Sequence, residues 1–337
     1  MALVSVVMSV YNERIEWLKL SIDSIIQQTF TDFEFIIICD NPSFVEGISL
    51  LEEYKKKDRR IVVLYNEENI GLTKSLNKGI QCASGKYIAR MDADDISLPT
   101  RLSKQVAFMD SNPEIVASGT GAYIMTGNHL RLSNLPISFK ILKSLSIFDS
   151  PIYHPTAIFR RVINDKIVEY NEEFRYSQDY ELWIRLMEGG YQLSNLAEPL
   201  IKYRVSESQI STASHGKQRV FAVRNQLNAI RLLKLPFTKE ENDILRDISR
   251  TQENPQDASK IKDFILKFSD YLHQRSDLDR NSIVDYLLLL YAVYIPGYQN
   301  LIVATYNLTI VSIKTKRYSF KVYLSLFNKF LRKWKLR

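Results

Sequence analysis

Cysteine is scarce in this chain, whose 337 residues contain only Cys39 and Cys82. Neither belongs to a CxxC motif or lies at a metal-site spacing from histidine, so the sequence predicts neither a disulfide framework nor a zinc site and fits a reducing cytoplasm. The chain also lacks a basic segment ahead of its first apolar stretch, Val4 to Val10, which is interrupted by serines and stops at Tyr11. That stretch predicts a first β-strand rather than a signal peptide.

Acidic residues are absent from residues 314–337, which carry nine lysines and arginines. Because the net charge of the whole chain is +7, the rest of the chain has a net charge of −2. A basic tail on a slightly acidic body argues against a nucleic-acid-binding protein. The tail also contains Tyr323, Phe327, Phe330 and Trp334, and this mixture predicts contact with an anionic membrane surface; a solvated basic helix end is the alternative.

Short apolar runs alternate with amphipathic stretches over the first hundred residues, a pattern typical of parallel strands joined by crossover helices. Polar residues follow each run, and ligands bind at the carboxyl ends of strands in such sheets, so the sequence predicts one polar binding rim. The predicted strands are Val4–Val10, Phe33–Cys39, Ile61–Tyr65 and Lys86–Met91, and the predicted helices are Trp17–Gln28, Ile48–Lys56 and Thr73–Ala83.

The remaining pattern predicts a large α/β domain over residues 1–214 and a helical region over residues 215–337. Elements predicted to complete the first domain are helices at Pro99–Asp110, Ile137–Leu145 and Asp179–Glu188, and strands at Glu114–Gly119 and His154–Phe159. Helices predicted for the second region are Gln218–Leu235, Lys239–Arg250 and Ala258–Gln274.

Residues 286–313 contain no charged side chain and are numerous enough to cross a bilayer. A Pro-Gly pair at Pro296 and Gly297 interrupts this segment, which is rich in tyrosine. Three interpretations stay open: a membrane crossing or re-entrant hairpin, a helix pair in the plane of the membrane, and a buried helical hairpin. Together with the basic tail, the segment favours peripheral attachment to a membrane.

An acidic turn, Asp92-Ala93-Asp94-Asp95, follows the fourth predicted strand. Asp92 and Asp94 are two residues apart, so both carboxylates can reach one side of a turn and hold Mg²⁺ or Mn²⁺ against a diphosphate. The alternative is that Asp95 or Ser97 caps the following helix, which explains one acid but not three.

Several motifs in this order resemble those of family 2 glycosyltransferases of the GT-A fold. The resemblance covers residues 3–211 and implies a Rossmann-like, mostly parallel sheet flanked by helices. The motifs are Val4 to Glu13, Asn69-Ile70-Gly71-Leu72, Leu76-Asn77-Lys78-Gly79, Gly85 to Asp95, Leu98 to Leu102, His154-Pro155-Thr156, Gln178 to Trp183 and Tyr203-Arg204.

The resemblance also implies where the nucleotide binds. The residues it places around the nucleotide are Tyr11, Asn12, Glu13, Asp40, Asn69, Asp92 and Ala93, with Asp40 against the base. A carboxylate can accept a hydrogen bond from the N3–H of uracil or thymine, which favours a UDP- or dTDP-sugar. Relatives usually have two acids followed by Gly-Ser at this point, whereas this chain has Cys39-Asp40-Asn41-Pro42-Ser43.

For catalysis, the resemblance implies that Asp179 removes the proton of the acceptor hydroxyl. Asp179 as the N-cap of its helix is the alternative, and the two roles are compatible. Possible contacts to the diphosphate or the acceptor are Arg90, Asp95, His154 and Arg204. Ser206 stands where many relatives have a metal-binding histidine, so no third protein ligand of the metal is assigned.

The expected activity is an inverting transfer of a hexosyl or deoxyhexosyl group to a hydroxyl of a lipid-linked oligosaccharide, with Mn²⁺ or Mg²⁺. Such a reaction fits the synthesis of a capsule, an O-antigen or an exopolysaccharide, at the inner face of the cell membrane. A Gln-x-x-Arg-Trp motif of processive synthases is absent near residues 200–220, which favours single additions. The alternatives are an inactive nucleotide-binding scaffold and a sugar nucleotidyltransferase.

Overall fold

The computed structural model describes residues 2–127, 129–133, 135–205, 215–249 and 258–294. The chain divides into two compact units. The first contains residues 1–142 and 149–225, and the second contains residues 143–148 and continues from residue 226. The predicted boundary after residue 214 falls outside the described residues and stays a prediction.

Four parallel strands form one half of the main sheet, in the order β3-β2-β1-β4. The helices between them follow each strand in turn, as the alternating pattern predicts. The strands are β1 (Val4–Val10), β2 (Phe33–Cys39), β3 (Ile61–Tyr65) and β4 (Tyr87–Asp92), and the helices are α1 (Ile15–Ile26), α2 (Val45–Lys57) and α3 (Leu72–Cys82). The first three strands have the predicted bounds, and β4 begins one residue later than predicted.

Strand β1 reads as a nearly unbroken apolar run because both of its faces are covered. Val4, Val6, Met8 and Val10 point into the main hydrophobic core. Val7 points to the other face, where the Cβ-free Gly79 of α3 allows the helix to approach closely. This packing fixes the carboxyl ends of the strands at one edge.

The other half of the sheet is mixed, continuing from β4 in the order β8-β6-β11-β5 with β7 beside β6. Only the β6–β11 pairing in this half is parallel. The strands are β5 (Ile96–Ser97), β6 (Ile115–Thr126), β7 (His129–Ser133), β8 (Ile158–Arg160) and β11 (Gln192–Arg204); β9 (Val162–Ile163) and β10 (Lys166–Ile167) form a separate hairpin. The helices of this half are α4 (Arg101–Ser111), α5 (Phe139–Leu145) and α6 (Gln178–Glu188).

The strand predicted at His154–Phe159 is wrong in its first half. His154–Thr156 form one turn of 3-10 helix, and β8 begins at Ile158. Pro155 has no amide hydrogen to donate to a sheet and its φ is fixed, so the chain turns before it can pair.

The second unit is helical, as predicted. The helices beyond α6 are α7 (His215–Leu232), whose last residues belong to this unit, α8 (Lys239–Ser249), α9 (Ala258–Leu272) and α10 (Arg280–Tyr294). Within this unit, Leu287 and Leu288 of α10 are buried, and the ring of Tyr286 stacks on Phe148 at 4.5 Å.

No helix in the described part of the chain is long and apolar enough to cross a membrane. Of the predicted apolar segment 286–313, residues 286–294 belong to α10. Residues 295–313 and the basic tail 314–337 lie outside the described residues.

Candidate active site

The segment after β1 lies within the electrostatic field of the acidic turn. Tyr11 is half-exposed, Asn12 is exposed, and the Glu13 Oε2 atom accepts a hydrogen bond from the Tyr11 amide at 2.9 Å. Burial raises the pKa of Glu13 to about 7, and the charges of Asp94 and Asp92 add to the effect. The structure therefore brings together the residues after β1 and the acidic turn after β4.

Asp40 follows β2 and is almost fully buried. Its Oδ1 atom accepts hydrogen bonds from the Asn66 side-chain amide at 2.8 Å and the Ile70 main-chain amide at 2.9 Å. Its Oδ2 atom accepts one from the Gly71 amide at 2.9 Å. Asp40 thus fastens the loop that precedes α3, and its predicted contact with the base stays a prediction.

Asn69 lies in the loop that Asp40 holds, and its side chain is exposed. Its Oδ1 atom accepts a hydrogen bond from the Gly71 amide at 3.0 Å. Gly71 has φ of +87°, a left-handed conformation that glycine adopts without strain. The loop therefore presents Asn69 at the rim in one fixed conformation.

Within the acidic turn, Asp92 and Asp94 differ from Asp95 in exposure. Asp95 is fully buried, and its Oδ1 atom accepts a hydrogen bond from the Arg204 amide at 2.7 Å. Burial, reinforced by the charges of Asp92 and Asp94, raises its pKa well above the usual range. Asp92 and Asp94 are partly exposed, so they are the two carboxylates of the turn that solvent reaches.

The alternative explanation of the turn, a helix cap, is wrong. Helix α4 begins at Arg101, six residues beyond Asp95, and its first turn is capped by the Gln28 side chain, whose Oε1 atom accepts a hydrogen bond from the Leu102 amide at 3.0 Å. Ser97 belongs to β5 and accepts a hydrogen bond from the Gln28 side chain at 3.1 Å. Asp95 and Ser97 therefore bind other parts of the chain and do not cap α4.

Arg204 holds the acidic turn from the end of β11. Its main-chain amide donates the hydrogen bond to Asp95, and its Nε atom donates one to the main-chain oxygen of Asp94 at 2.9 Å. Its guanidinium lies over the Trp17 ring at 4.5 Å, and Arg14 lies over the same ring at 4.7 Å. These contacts tie β11 and α1 to the turn, and the predicted contact of Arg204 with a diphosphate stays a prediction.

A divalent metal fits the acidic turn through two carboxylates only. Asp92 and Asp94 offer oxygen ligands, the type that Mg²⁺ and Mn²⁺ prefer. Among the described residues, no group of three or more His, Cys, Asp or Glu side chains is placed to hold a metal ion. The remaining ligands would then have to come from a bound diphosphate and water.

Arg90 lies behind the turn, and its side chain is almost fully buried. Its Nη2 atom is paired with Asp92 Oδ1. Within the part of the chain that the structure describes, its Nε and Nη1 atoms have no hydrogen-bond partner. On the other face of β4, the guanidinium of buried Arg101 donates to the Arg90 main-chain oxygen at 2.6 Å and holds the strand end in place.

His154 is a neutral side chain in this structure. Burial, assisted by the positive charge of Arg90, holds its pKa well below the usual range. Its Nε2 atom shares a hydrogen bond of 2.9 Å with the Tyr170 hydroxyl. Because it is uncharged, His154 is suited to hydrogen bonding rather than to pairing with a diphosphate.

Tyr170 is a site residue that sequence reasoning missed. It is buried, and its main chain is fastened to the Asn77 side chain by two hydrogen bonds of 2.9 Å. The charges of Arg90, Asp179 and Asp92 all act on its hydroxyl, although burial is the main reason that its pKa is raised. The charges of the acidic turn and of the predicted base thus both act on Tyr170.

Asp179 is the second residue of α6, which begins at Gln178. The residue before the helix is Ser177, with φ of +54°, so the interpretation of Asp179 as the N-cap is wrong. Burial raises the pKa of Asp179 to about 6, with the charge of Asp149 adding to it. The amide of Tyr180 and the Ser150 hydroxyl, 3.3 Å from Oδ2, favour the carboxylate but do not reverse this shift.

The chain belongs to glycosyl transferase family 2, whose model matches residues 5–168. It is 38% identical to an uncharacterized glycosyltransferase of Methanocaldococcus jannaschii, MJ1057, over 65% of this chain and 77% of that protein. It is 34% identical to the amylovoran biosynthesis glycosyltransferase AmsE of Erwinia amylovora, over 61% of this chain and 78% of that protein. The protein is therefore a glycosyltransferase, and the sugar nucleotidyltransferase alternative is set aside.

Solved structures confirm the GT-A fold. S. aureus TarS residues 1–349 in complex with UDP-GlcNAc superimpose with a TM-score of 0.57 at 19% identity, covering 94% of this chain and 93% of that chain. The mannosyltransferase PcManGT of Pyrobaculum calidifontis, in complex with GDP-Man and Mn²⁺, gives a TM-score of 0.51 at 14% identity, covering 93% and 86%. At these identities the likeness shows the fold alone.

Proposed function

We propose that this glycosyltransferase moves a hexosyl or deoxyhexosyl group from a UDP- or dTDP-sugar to an acceptor hydroxyl, with inversion at the anomeric carbon. The observation that carries the proposal is that the charges of both Asp92 and Asp179 act on the buried Tyr170 hydroxyl. An acidic turn suited to a diphosphate and a carboxylate suited to a base thus act on the same side chain.

Asp179 acts as the base in this proposal. At neutral pH a carboxyl with a pKa of about 6 is ionised, yet it is a stronger base than an ordinary aspartate. It takes the proton of the acceptor hydroxyl as the oxygen forms its bond to the anomeric carbon. The bond from that carbon to the phosphate oxygen breaks, and its electron pair leaves with the nucleoside diphosphate.

Asp92 and Asp94 would hold Mn²⁺ or Mg²⁺, which when bound neutralises the charge of the departing diphosphate. Arg204 holds the turn through the main-chain oxygen of Asp94 and the carboxylate of Asp95. The nucleoside lies against Tyr11, Asn12, Glu13, Ala93 and the loop that Asp40 holds, with Asn69 exposed at its rim.

The acceptor in this proposal is a lipid-linked oligosaccharide used to build a capsule, an O-antigen or an exopolysaccharide. The name of AmsE places that relative in amylovoran biosynthesis, and the name of another relative, WbnJ of Escherichia coli, places it in O-antigen biosynthesis. The basic, aromatic tail at residues 314–337 supports attachment to the anionic inner face of the cell membrane, where such an acceptor is located.

The stereochemistry of donor cleavage tests this function. Proton NMR of α-linked UDP-glucose and UDP-GlcNAc with the protein and Mn²⁺ follows the slow transfer of the sugar to water. We expect the β-anomer to form first, because one displacement inverts the configuration. Asp110→Asn, which removes an exposed acid from the end of α4, is the matched control and should keep the wild-type rate. If the α-anomer forms first, the reaction does not invert the configuration. If both donors remain intact, the protein does not use UDP-glucose or UDP-GlcNAc as a donor.

A further inference from the structure

A strained residue lies immediately before the helix that carries the proposed base. Ser177 has φ of +54° and ψ of +32°, a left-handed conformation that is unfavourable for a residue with a Cβ atom. Asp179 follows two residues later, in the first turn of α6. If Ser177 changed to a right-handed conformation, the chain would rotate at this point. The direction of the Asp179 side chain therefore depends on what keeps Ser177 left-handed.

The Asp179 carboxylate is held mainly by its own main chain. In the described part of the chain, one side-chain hydrogen bond reaches it, from the Ser150 hydroxyl at 3.3 Å. That hydroxyl also lies 3.0 Å from the Ile152 main-chain oxygen, and its single hydrogen cannot fully serve both acceptors. The main-chain amides of Asp179 and Tyr180 supply the other hydrogen bonds. The carboxylate therefore follows the first turn of α6 wherever that turn points.

A buried asparagine of α7 fixes the start of this turn. The Asn225 Nδ2 atom donates a hydrogen bond to the Ser177 main-chain oxygen at 2.9 Å, and the Glu181 amide donates to the same oxygen at 3.2 Å. Asn225 belongs to the first compact unit, as Ser177 and Asp179 do. The peptide group is planar, so a fixed oxygen fixes the whole peptide between Ser177 and Gln178.

The other half of the Asn225 amide shows that packing does not require this residue. Asn225 is fully buried, and its Oδ1 atom has no hydrogen-bond partner among the described residues. An unpaired buried amide oxygen destabilises the fold, and an apolar side chain would avoid that cost. The bond from Nδ2 to Ser177 is therefore what the amide contributes.

Two neighbours of Asn225 on α7 support the segment that leads into the turn. The Phe221 ring packs against the rings of Phe174 and Tyr176, at centroid distances of 5.8 and 5.9 Å. The Arg224 guanidinium lies over the Phe174 ring at 4.5 Å. Phe221 lies one helical turn before Asn225, so one side of α7 contacts both the segment and the strained residue at its end.

We propose that Asn225 is a positioning residue for the base: it fixes the peptide between Ser177 and Gln178, keeps Ser177 left-handed and thereby directs the Asp179 carboxylate to the acceptor hydroxyl. Asn225 acts through Ser177 and does not touch the substrate. The inference rests on the proposed function, which gives Asp179 its role as the base.

Asn225→Leu tests this role, because leucine is similar in size and lacks the donor. Hydrogen exchange of the Glu181 amide, measured by mass spectrometry at residue resolution, reports on the turn and needs no donor substrate. Proton NMR of UDP-glucose and UDP-GlcNAc with Mn²⁺ gives the rate of hydrolysis, in which water replaces the acceptor and loses its proton to Asp179. We expect exchange about tenfold faster and hydrolysis about tenfold slower, the scale of one hydrogen bond. Calorimetry should show wild-type affinity for UDP.

A second substitution separates positioning from packing. Glycine adopts the left-handed conformation without strain, so Ser177→Gly combined with Asn225→Leu should recover about fivefold of the lost hydrolysis rate. A glycine at position 177 cannot repair a packing defect in α7. Asn228→Leu is the matched control: it makes the same change one turn later on α7, where Asn228 Oδ1 accepts only from Arg231 at 3.3 Å, and should keep the wild-type exchange and rate. If Asn225→Leu does not fold, Asn225→Ala replaces it.

The outcomes distinguish this role from the proposed function. Wild-type exchange at Glu181 in Asn225→Leu shows that Asn225 does not fix the turn and overturns the inference. Faster exchange with a wild-type hydrolysis rate, or slow hydrolysis that Ser177→Gly does not improve, also overturns it and leaves the proposed function standing. If wild-type protein hydrolyses neither donor, the result counts against the proposed donors, and the exchange measurement still decides whether Asn225 fixes the turn.

Discussion

Replacing Asp179 with asparagine should reduce turnover and increase folding stability at the same time. Burial is the largest cause that raises the pKa of Asp179 from 3.8 to about 6. This difference corresponds to about 3 kcal/mol at 1.36 kcal/mol for each pKa unit. Solvent reaches part of the side chain, so we expect the neutral amide to stabilise the fold by about 1–3 kcal/mol at pH 7.5.

The gain in stability should depend on pH in a defined direction. A carboxyl whose pKa is higher in the folded than in the unfolded state is neutral in both states below about pH 4, so it costs nothing there. As the pH rises to about 6, the unfolded state loses its proton first and wild-type stability falls; above about pH 6 the cost is constant. The difference between Asp179→Asn and wild type should follow this curve.

Urea unfolding at pH 4, 5, 6 and 7.5 measures the stability difference, and donor consumption at pH 7.5 measures turnover. Loss of a general base should lower turnover by about two orders of magnitude or more. Glu188→Gln, an exposed acid at the end of the same helix, is the matched control and should change stability by less than about 0.5 kcal/mol. Full turnover in Asp179→Asn, or a loss of stability at pH 7.5, would refute the reasoning.

Three other results are expected. Asp149→Asn removes a charge that raises the pKa of Asp179, so the acidic limb of the pH–rate profile should move to lower pH; an unmoved limb contradicts this. Asp40→Asn keeps one side-chain acceptor but replaces the other with a donor, so the amide of Ile70 or Gly71 loses its partner and calorimetry should show nucleotide affinity reduced by about tenfold; wild-type affinity would show that the loop does not need Asp40. Deleting residues 314–337 should abolish sedimentation with anionic liposomes, and retained binding would place the anchor elsewhere.

The sequence predicts the parallel half of the sheet well because its elements are local. Strands β1 and β2 are apolar runs covered on both faces, and such a strand needs no other signal; β3 is a short apolar run with Val62 exposed on one face. The long strand β11 gave no such signal: Asn195, Glu198 and Pro199 interrupt its pattern, and its register with β6 shifts near Pro199. Its existence depends on a partner that is distant in sequence.

The candidate site likewise contains residues that the sequence indicates and residues that only the folded chain reveals. The acidic turn indicated Asp92 and Asp94 because their chemistry is visible in their neighbours along the chain, whereas the resemblance to family 2 glycosyltransferases indicated Asp179. Tyr170 has no such motif, and only the folded chain places it against His154. Likewise, no local pattern shows that the carboxylate of Asp40 points to the loop before α3.

Calorimetric binding of UDP and dTDP, with Mn²⁺ and with a chelator, tests the central claim most directly. The account predicts that wild-type protein binds one of these nucleotides in Mn²⁺ and loses most of that affinity in the chelator. Asp94→Asn should bind weakly in both conditions, while Asp179→Asn should bind like wild type. Absence of binding, or equal affinity with and without Mn²⁺, would contradict a metal-assisted nucleotide site at the acidic turn.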